Sequence, residues 1–211
     1  MNPQVQTFFD EATSTATYLV IDPSTRRAAV IDPVLDFEPK GARLSTVSAD
    51  TVLAAVRDQQ LDLAYVLETH AHADHLSAAD YIRRKTGAKI VIGREITQVQ
   101  KTFIPLFEVE EVAADGRVFD HLLAEGDTLP LGKLVIGVLH TPGHTPACVT
   151  YLIGDAAFVG DTLFMPDYGT ARADFPGGDA ATLYRSIRKI MDLPPQTRVF
   201  VGHDYLPAGR G

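Results

Sequence analysis

Three imidazoles and a carboxylate crowd one short segment, His70-Ala71-His72-Ala73-Asp74-His75. Alanines separate them, so nothing bulky fills the space between. Burying so many ionisable groups unpaired costs free energy, and a divalent cation is the simplest compensation. His70 and His72 are two apart, which sets them on one side of an extended segment. Asp74 and His75 stand at the approach to the next helix. Three further segments lead from an apolar run to a possible ligand: Leu134–Leu139 towards His144, Phe158-Val159-Gly160 into Asp161, and Val199-Phe200-Val201-Gly202 into His203. Each alone has a plain explanation, a hairpin corner for His144 and an Asx-turn or cap for Asp161. Four apolar strands each delivering a ligand form the stronger signal. The chain has seven His and one Cys, so imidazole and carboxylate, not thiolate, would hold the ion. His121 and His140 fall outside the pattern and are read as non-ligands. Cys148 opens an apolar run and reads as a buried, inert thiol.

The elements that must position these residues alternate between strand and helix. Tyr18–Ile21 and Ala28–Ile31, split by Asp22-Pro23-Ser24, read as a hairpin. Asp50–Gln60 has Val52, Leu53 and Val56 at helical spacing, with Asp50 as its N-cap. Ala64–Leu67 is a strand running towards His70. Leu76–Lys85 reads as a helix stopped by Gly87, followed by a strand over Lys89–Ile92. Leu134–Leu139, Ala147–Ile153 and Ala156–Val159 are three more strands. Thr182–Met191 is a helix ended by Pro194-Pro195, and Val199–Val201 is a last short strand. Residues 94–120, with Pro105, Glu108, Glu110 and Glu111, read as a surface excursion. The expected architecture is layered α/β, sheets inside and helices outside.

Composition narrows the function classes. The 211 residues fit one domain, 45% hydrophobic and 22% charged, enough to bury a core. A net charge of −8 disfavours nucleic acid as a partner. The first twenty residues lack a basic start and a long apolar run, and no stretch approaches the ~20 apolar residues of a membrane helix. The expectation is a cytoplasmic protein without a membrane partner.

His-x-His-x-Asp-His at 70–75, then His144, Asp161 and His203, resembles the metallo-β-lactamase superfamily in order over nearly the whole chain. The resemblance implies a four-layer αβ/βα sandwich with its site where two sheets meet. Residues 167–175 (DYGTARADF), 182–187 (TLYRSI) and His203-Asp204-Tyr205 resemble the persulfide dioxygenase branch. That branch implies one Fe(II) held by His70, His144 and Asp161, with His72, Asp74, His75 and His203 orienting ligands and substrate. It also implies O2 and glutathione persulfide as substrates. Arg172 is then a candidate for pairing the tripeptide's carboxylates, or for a salt bridge with Asp174. Tyr205 is a candidate hydrogen-bond donor near the metal, or a packed aromatic. The alternative is a dinuclear zinc thioester hydrolase resembling glyoxalase II. There His70, His72 and His144 would hold one ion, and Asp74, His75 and His203 the other, bridged by Asp161. The chain ends eight residues after His203 at Gly209-Arg210-Gly211, which leaves no room for that hydrolase's C-terminal helical domain and is short for the dioxygenases too. The reading is a single domain over 1–211, a possible homodimer.

Overall fold

The computed structural model describes residues 1–109 and 111–206. The chain opens with β1 (Gln4–Asp10), β2 (Thr15–Ile21), β3 (Arg27–Ile31), β4 (Val34–Glu38) and β5 (Arg43–Ser45). Helix α1 (Val47–Asp58) leads to β6 (Asp62–Leu67), β7 (Leu76–Ser77), α2 (Ala79–Thr86) and β8 (Lys89–Gly93). Next come α3 (Ile96–Leu106), β9 (His121–Leu123), β10 (Thr128–Leu131), β11 (Leu134–His140), β12 (Val149–Ile153) and β13 (Ala156–Gly160). Helix α4 (Ala180–Met191) and β14 (Arg198–Val201) close the described chain.

Six strands form one sheet in the order β1-β2-β3-β6-β8-β9, and five form a second, β10-β11-β12-β13-β14. A small ribbon, β5-β4-β7, lies beside them. Strand β2 is apolar on both faces because both faces are covered. Tyr18 and Val20 point between the sheets into a core with Tyr151, Ile153 and Phe158 of the second sheet. Leu19 and Ile21 point the other way, into a core with Val52 and Val56 of α1 and Ile82 of α2. On the far side, Ala157 and Val159 of β13 pack with Ile190 of α4. Helices, sheet, sheet and helix make the four-layer αβ/βα sandwich the motifs implied. Each large aliphatic or aromatic side chain so buried contributes about 1.5–3 kcal/mol.

The parallel pairs decide where the reactive loops go. β3, β6 and β8 run parallel, and so do β13 and β14. Their C-terminal ends therefore share one edge, and Asp32, Glu68-Thr69-His70, Asp161 and His203 all emerge there. At the opposite edge, buried Asp22 accepts from Ser24 N and Oγ, from Thr25 Oγ1 at 2.7 Å and from Lys133 N at 2.6 Å. It ties the β2–β3 turn to the β10–β11 turn.

Several elements differ from their sequence expectation. α1 starts at Val47, so Asp50 is not its N-cap. It lies within the first turn, where it accepts from Thr46 Oγ1 and Tyr81 Oη, each at 2.7 Å. Leu76-Ser77 is not helical: the pair joins β4 through Leu35 and Val34, and α2 begins only at Ala79. Long-range strand pairing overrides the local helical periodicity there. Residues 94–120 are no mere excursion, because they contain α3; its Ile96 is buried with Ile92 and Ala147. Pro105 misleads because it sits in the last turn. The third strand of the second sheet starts at Val149 rather than Ala147, and α4 starts two residues early because Asp179 caps it, accepting from Thr182 N at 2.7 Å. Glu110 and the closing Gly209-Arg210-Gly211 lie outside the described residues. No helix among the described residues is long and apolar enough to cross a membrane.

Candidate metal centre

His70, His144 and Asp161 come from three different strand ends and meet. The Asp161 Oδ2 atom lies 3.7 Å from His70 Nε2 and 3.8 Å from His144 Nε2, and all three side chains are buried. One ligand atom from each fits within 4.8 Å of the others. A second group, His72, Asp74 and His75, satisfies the same condition, and so does Asp32, Glu68 and His72. The rings stand close together: His70 to His72 is 4.2 Å between centroids, and His72 to His75 is 4.1 Å. His121 and His140 belong to none of these groups. His121 sits in β9 edge-on to Tyr65, and His140 Nε2 lies 2.8 Å from the Pro146 carbonyl oxygen.

Glycine makes the approach possible at two strand ends. Gly160, just before Asp161, has φ +51°, and a Cβ there would stand 2.5 Å from Thr69 Oγ1. A Cβ at Gly202, just before His203, would stand 2.6 Å from Asp161 Oδ1.

Hydrogen bonds set which nitrogen of each ring is free. Thr69 Oγ1 donates to Asp32 Oδ2 at 2.7 Å, so it must accept from His70 Nδ1 at 3.0 Å. His144 Nδ1 donates to the Arg172 carbonyl at 2.8 Å, and His75 Nδ1 to the Leu76 carbonyl at 3.1 Å. His72 Nε2 donates to Glu68 Oε2 at 3.1 Å and to Asp32 Oδ1 at 3.2 Å. What remains is buried and unpartnered among the described residues: His70 Nε2, His72 Nδ1 and His75 Nε2. Three orphaned imidazole nitrogens around two carboxylates are the donor set of a transition-metal or zinc site, each ring braced from behind. The residues fit a metal.

His203 is engaged differently. Its Nδ1 donates to Asp161 Oδ1 at 2.7 Å and its Nε2 to Asp74 Oδ2 at 2.6 Å. Burial would lower its pKa, but the two carboxylates outweigh that and raise it to about 9. Asp74 in turn is held well below the usual carboxylate range: burial opposes this, and the His203 hydrogen bond prevails. Burial and the neighbouring His72 charge push His70 well below the ordinary histidine value, as a neutral metal-ligating imidazole requires. Asp32 and Glu68 raise His72 instead, against the effect of burial. The Tyr205 ring stacks on His203 at 5.5 Å and lies 4.6 Å from the Tyr168 ring. Burial and the site's carboxylates push its phenol up to about 12. Arg172 does not present an open fork: its Nη2 and Nε both reach the Asp174 carboxylate, the former at 2.8 Å. Cys148 is buried, and desolvation pushes its thiol up to about 12, which leaves it inert.

Two residues here escaped the sequence reading. Asp32, which directly follows β3, holds Thr69 and His72. Glu68 lies buried beneath His72 and also accepts from Ser77 Oγ; burial pushes it above the usual carboxylate range. Asp32 carried a usable signal, since it too follows an apolar strand directly.

Several known proteins are similar to this chain. A model of the metallo-beta-lactamase superfamily matches residues 11–203. A probable metallo-hydrolase of Burkholderia pseudomallei is 54% identical, over 98% of this chain and 74% of its own length. A beta-lactamase hydrolase-like protein of Xylella fastidiosa is 50% identical over 99% of this chain, which spans about half of that relative's length, 48%. The mitochondrial persulfide dioxygenase ETHE1 of Homo sapiens is 33% identical, over 93% of this chain and 66% of its own. Among solved structures, ETHE1 from Myxococcus xanthus superposes with a TM-score of 0.75 at 35% identity, covering 96% of this chain and 76% of that one.

Proposed function

The chain belongs to the metallo-beta-lactamase superfamily, and from that premise we propose that it is a persulfide dioxygenase with one ferrous ion on His70, His144 and Asp161. The observation that carries this reading is the asymmetry of the site. Two imidazoles and one carboxylate oxygen converge with their free atoms facing each other. Meanwhile His203 engages one oxygen of Asp74 and the other oxygen of Asp161, the oxygen that bridging to a second ion would use. Two histidines and a carboxylate on one face of Fe(II) form the facial triad of non-haem oxygenases. When bound, the ion supplies neighbouring open positions for a persulfide sulfur and O2.

The chain's own residues do the rest. Thr69 and the Arg172 carbonyl fix the His70 and His144 tautomers, so both Nε2 atoms carry a lone pair. Ala73 borders the cavity that His144 and Asp161 also line, and its small side chain leaves room there. His203 stands between Asp161 and Asp74 with both N–H groups donated to them, so it fixes the orientation of the two carboxylates. Tyr205 packs the outer side of that ring. The reaction balances as RSSH + O2 + H2O giving RSH + sulfite + two protons, four electrons passing from the persulfide to O2. Glutathione persulfide is the substrate the family resemblance suggests.

A second reading has its own support. His72 Nδ1, Asp74 and His75 Nε2 gather as a further candidate metal group, and a relative bears a metallo-hydrolase name. A dinuclear zinc thioester hydrolase would use both groups. Metal analysis of anaerobically purified protein, joined to oxygen uptake on glutathione persulfide, separates the two. One iron per chain with oxygen consumption supports the dioxygenase. Two zincs, hydrolysis of a hydroxyacylglutathione thioester and no oxygen uptake after iron reconstitution overturn it.

A further inference from the structure

His203 has a third partner besides the two carboxylates. Thr15 Oγ1 lies 3.1 Å from His203 Nε2, and both residues are buried. Thr15 begins β2 of the six-stranded sheet, whereas His203 follows β14 of the five-stranded sheet, 188 positions away. The backbone fixes their approach. Thr15 and His203 pair as an antiparallel bridge, Ala16 N donates to the Gly202 carbonyl at 2.9 Å, and Asp204 N donates to the Ser14 carbonyl at 3.0 Å. Tyr18 Oη adds a bond to the Val201 carbonyl at 2.6 Å.

The direction of the Thr15 hydroxyl is decided outside the site. Asp10 Oδ2 accepts from Thr13 N at 2.9 Å and from Thr13 Oγ1 at 2.6 Å. A carboxylate only accepts, so the one hydroxyl proton of Thr13 points at Asp10. Thr13 Oγ1 must then accept from Thr15 Oγ1, 2.7 Å away. With its own proton committed there, Thr15 Oγ1 can only accept from His203 Nε2. Asp10, Thr13 and Thr15 thus aim a lone pair at the ring. Ser14, between the two threonines, takes φ +58°, a left-handed conformation that is strained for serine. Asp10 and Thr13 are half-buried and border a cavity with Asp36 and Arg43 that shares no described lining residue with the one at His144 and Asp161.

This partner differs in kind from the other two. Asp161 and Asp74 belong to the candidate metal groups, so neither is an independent reference for the ring. Thr15 is one, because its backbone is paired to His203 and its hydroxyl is oriented from Asp10. We infer that Thr15, oriented by Thr13 and Asp10, is a positioning residue that fixes the His203 ring and through it the Asp161 carboxylate. This role rests on the reading of His70, His144 and Asp161 as a metal site, and not on the identity of the substrate.

The test uses the full chain and three variants. Thr15→Val keeps the side-chain shape and removes the acceptor, Thr15→Ser keeps the hydroxyl, and Thr13→Val leaves the Thr15 proton without its acceptor. Ring 15N–1H spectra of the metal-free chain, with the His203 signals identified through His203→Asn, report the ring directly. Anaerobic chelator competition for Fe(II) and oxygen uptake on glutathione persulfide report the consequence. In Thr15→Val the His203 Nε2 resonance should move, and Fe(II) affinity and kcat should each fall by about 2- to 10-fold, the worth of one hydrogen bond. The KM for the persulfide should stay unchanged, since Thr15 is not among the residues bordering the cavity at His144 and Asp161. Thr15→Ser should restore all three values, and Thr13→Val should give a smaller change of the same sign. Wild-type ring signals or wild-type Fe(II) affinity in Thr15→Val overturn the inference and leave the dioxygenase standing. Equal losses in Thr15→Val and Thr15→Ser also overturn it, because packing and not the hydroxyl would then be the cause. If Thr15→Val does not fold, Thr13→Val decides by the same readouts. No oxygen uptake, or no Fe(II) bound by the wild type, overturns the dioxygenase, and the ring signals then decide the role of Thr15 alone.

Discussion

Asp22 lies in the β2–β3 turn at one edge of the six-stranded sheet, and Asp32 follows β3 at the other. Both carboxylates are buried, at 0% and 2% exposure, and both are held below their ordinary range. Burial opposes that shift in each case, and different partners overcome it. For Asp22 the donors are neutral and end there: the Lys133 and Ser24 amides and the Ser24 and Thr25 hydroxyls. For Asp32 the leading partner is His72, with Thr69 N at 2.8 Å and Thr69 Oγ1 at 2.7 Å. Thr69 in turn orients His70, so the Asp32 hydrogen bonds continue into two imidazoles of the site. Asp32 also holds a strained backbone, φ +48°, to reach that position. A buried carboxylate is thus told apart by what its donors do next, not by its burial or its pKa.

Breaking each edge should give a different signature. The largest effect is expected from Asp161→Ala, which removes the carboxylate shared by the His70–His144 trio and by His203; stoichiometric metal should disappear in atomic analysis. Asp32→Asn should weaken metal binding by about 10- to 100-fold in chelator competition, because the braces behind His70 and His72 loosen. Asp22→Asn should leave metal affinity unchanged and cost about 1–3 kcal/mol in urea unfolding, since charge-assisted hydrogen bonds between two turns are lost. An Asp22→Asn chain with impaired metal binding would refute the division of roles.

The smallest effects concern pH, and the two edges should respond with opposite sign in the metal-free chain. The Asp22 carboxyl is lowered on folding, so its stabilisation is complete above its unfolded value of 3.8 and fades as pH falls towards the folded value. The stability gap between wild type and Asp22→Asn should therefore narrow below about pH 4. His203 is raised from 6.5 to about 9, so its contribution is complete below 6.5 and fades as pH rises through 9. Wild type should lose stability over that upper range, and His203→Asn should lose less. Urea midpoints across pH report both slopes.

The residues of the candidate metal site were legible because chemistry placed them close in sequence or on a repeated pattern. His70, His72, Asp74 and His75 share one loop, and Asp161 and His203 each follow an apolar strand and a glycine. α3 was not legible: Pro105 and the acidic residues after it obscured the apolar spacing of Ile96, Val99 and Phe103. Leu76-Ser77 was misread because its strand partner, Val34-Leu35, lies about forty residues away, and no local periodicity reports a distant pairing.

By itself the sequence determined the candidate donors, five histidines and two aspartates with no thiolate, and the alternating strands that must surround them, since ligand chemistry and hydrophobic period are properties of residue types. Only the tertiary structure decided which nitrogen of each ring stays free, that Asp32 and Glu68 brace His72, and that Asp174 occupies Arg172. Those outcomes depend on distances of a few ångströms between residues up to some 130 positions apart, such as Asp74 and His203. Packing of the two sheets sets such distances, and no linear spacing encodes them.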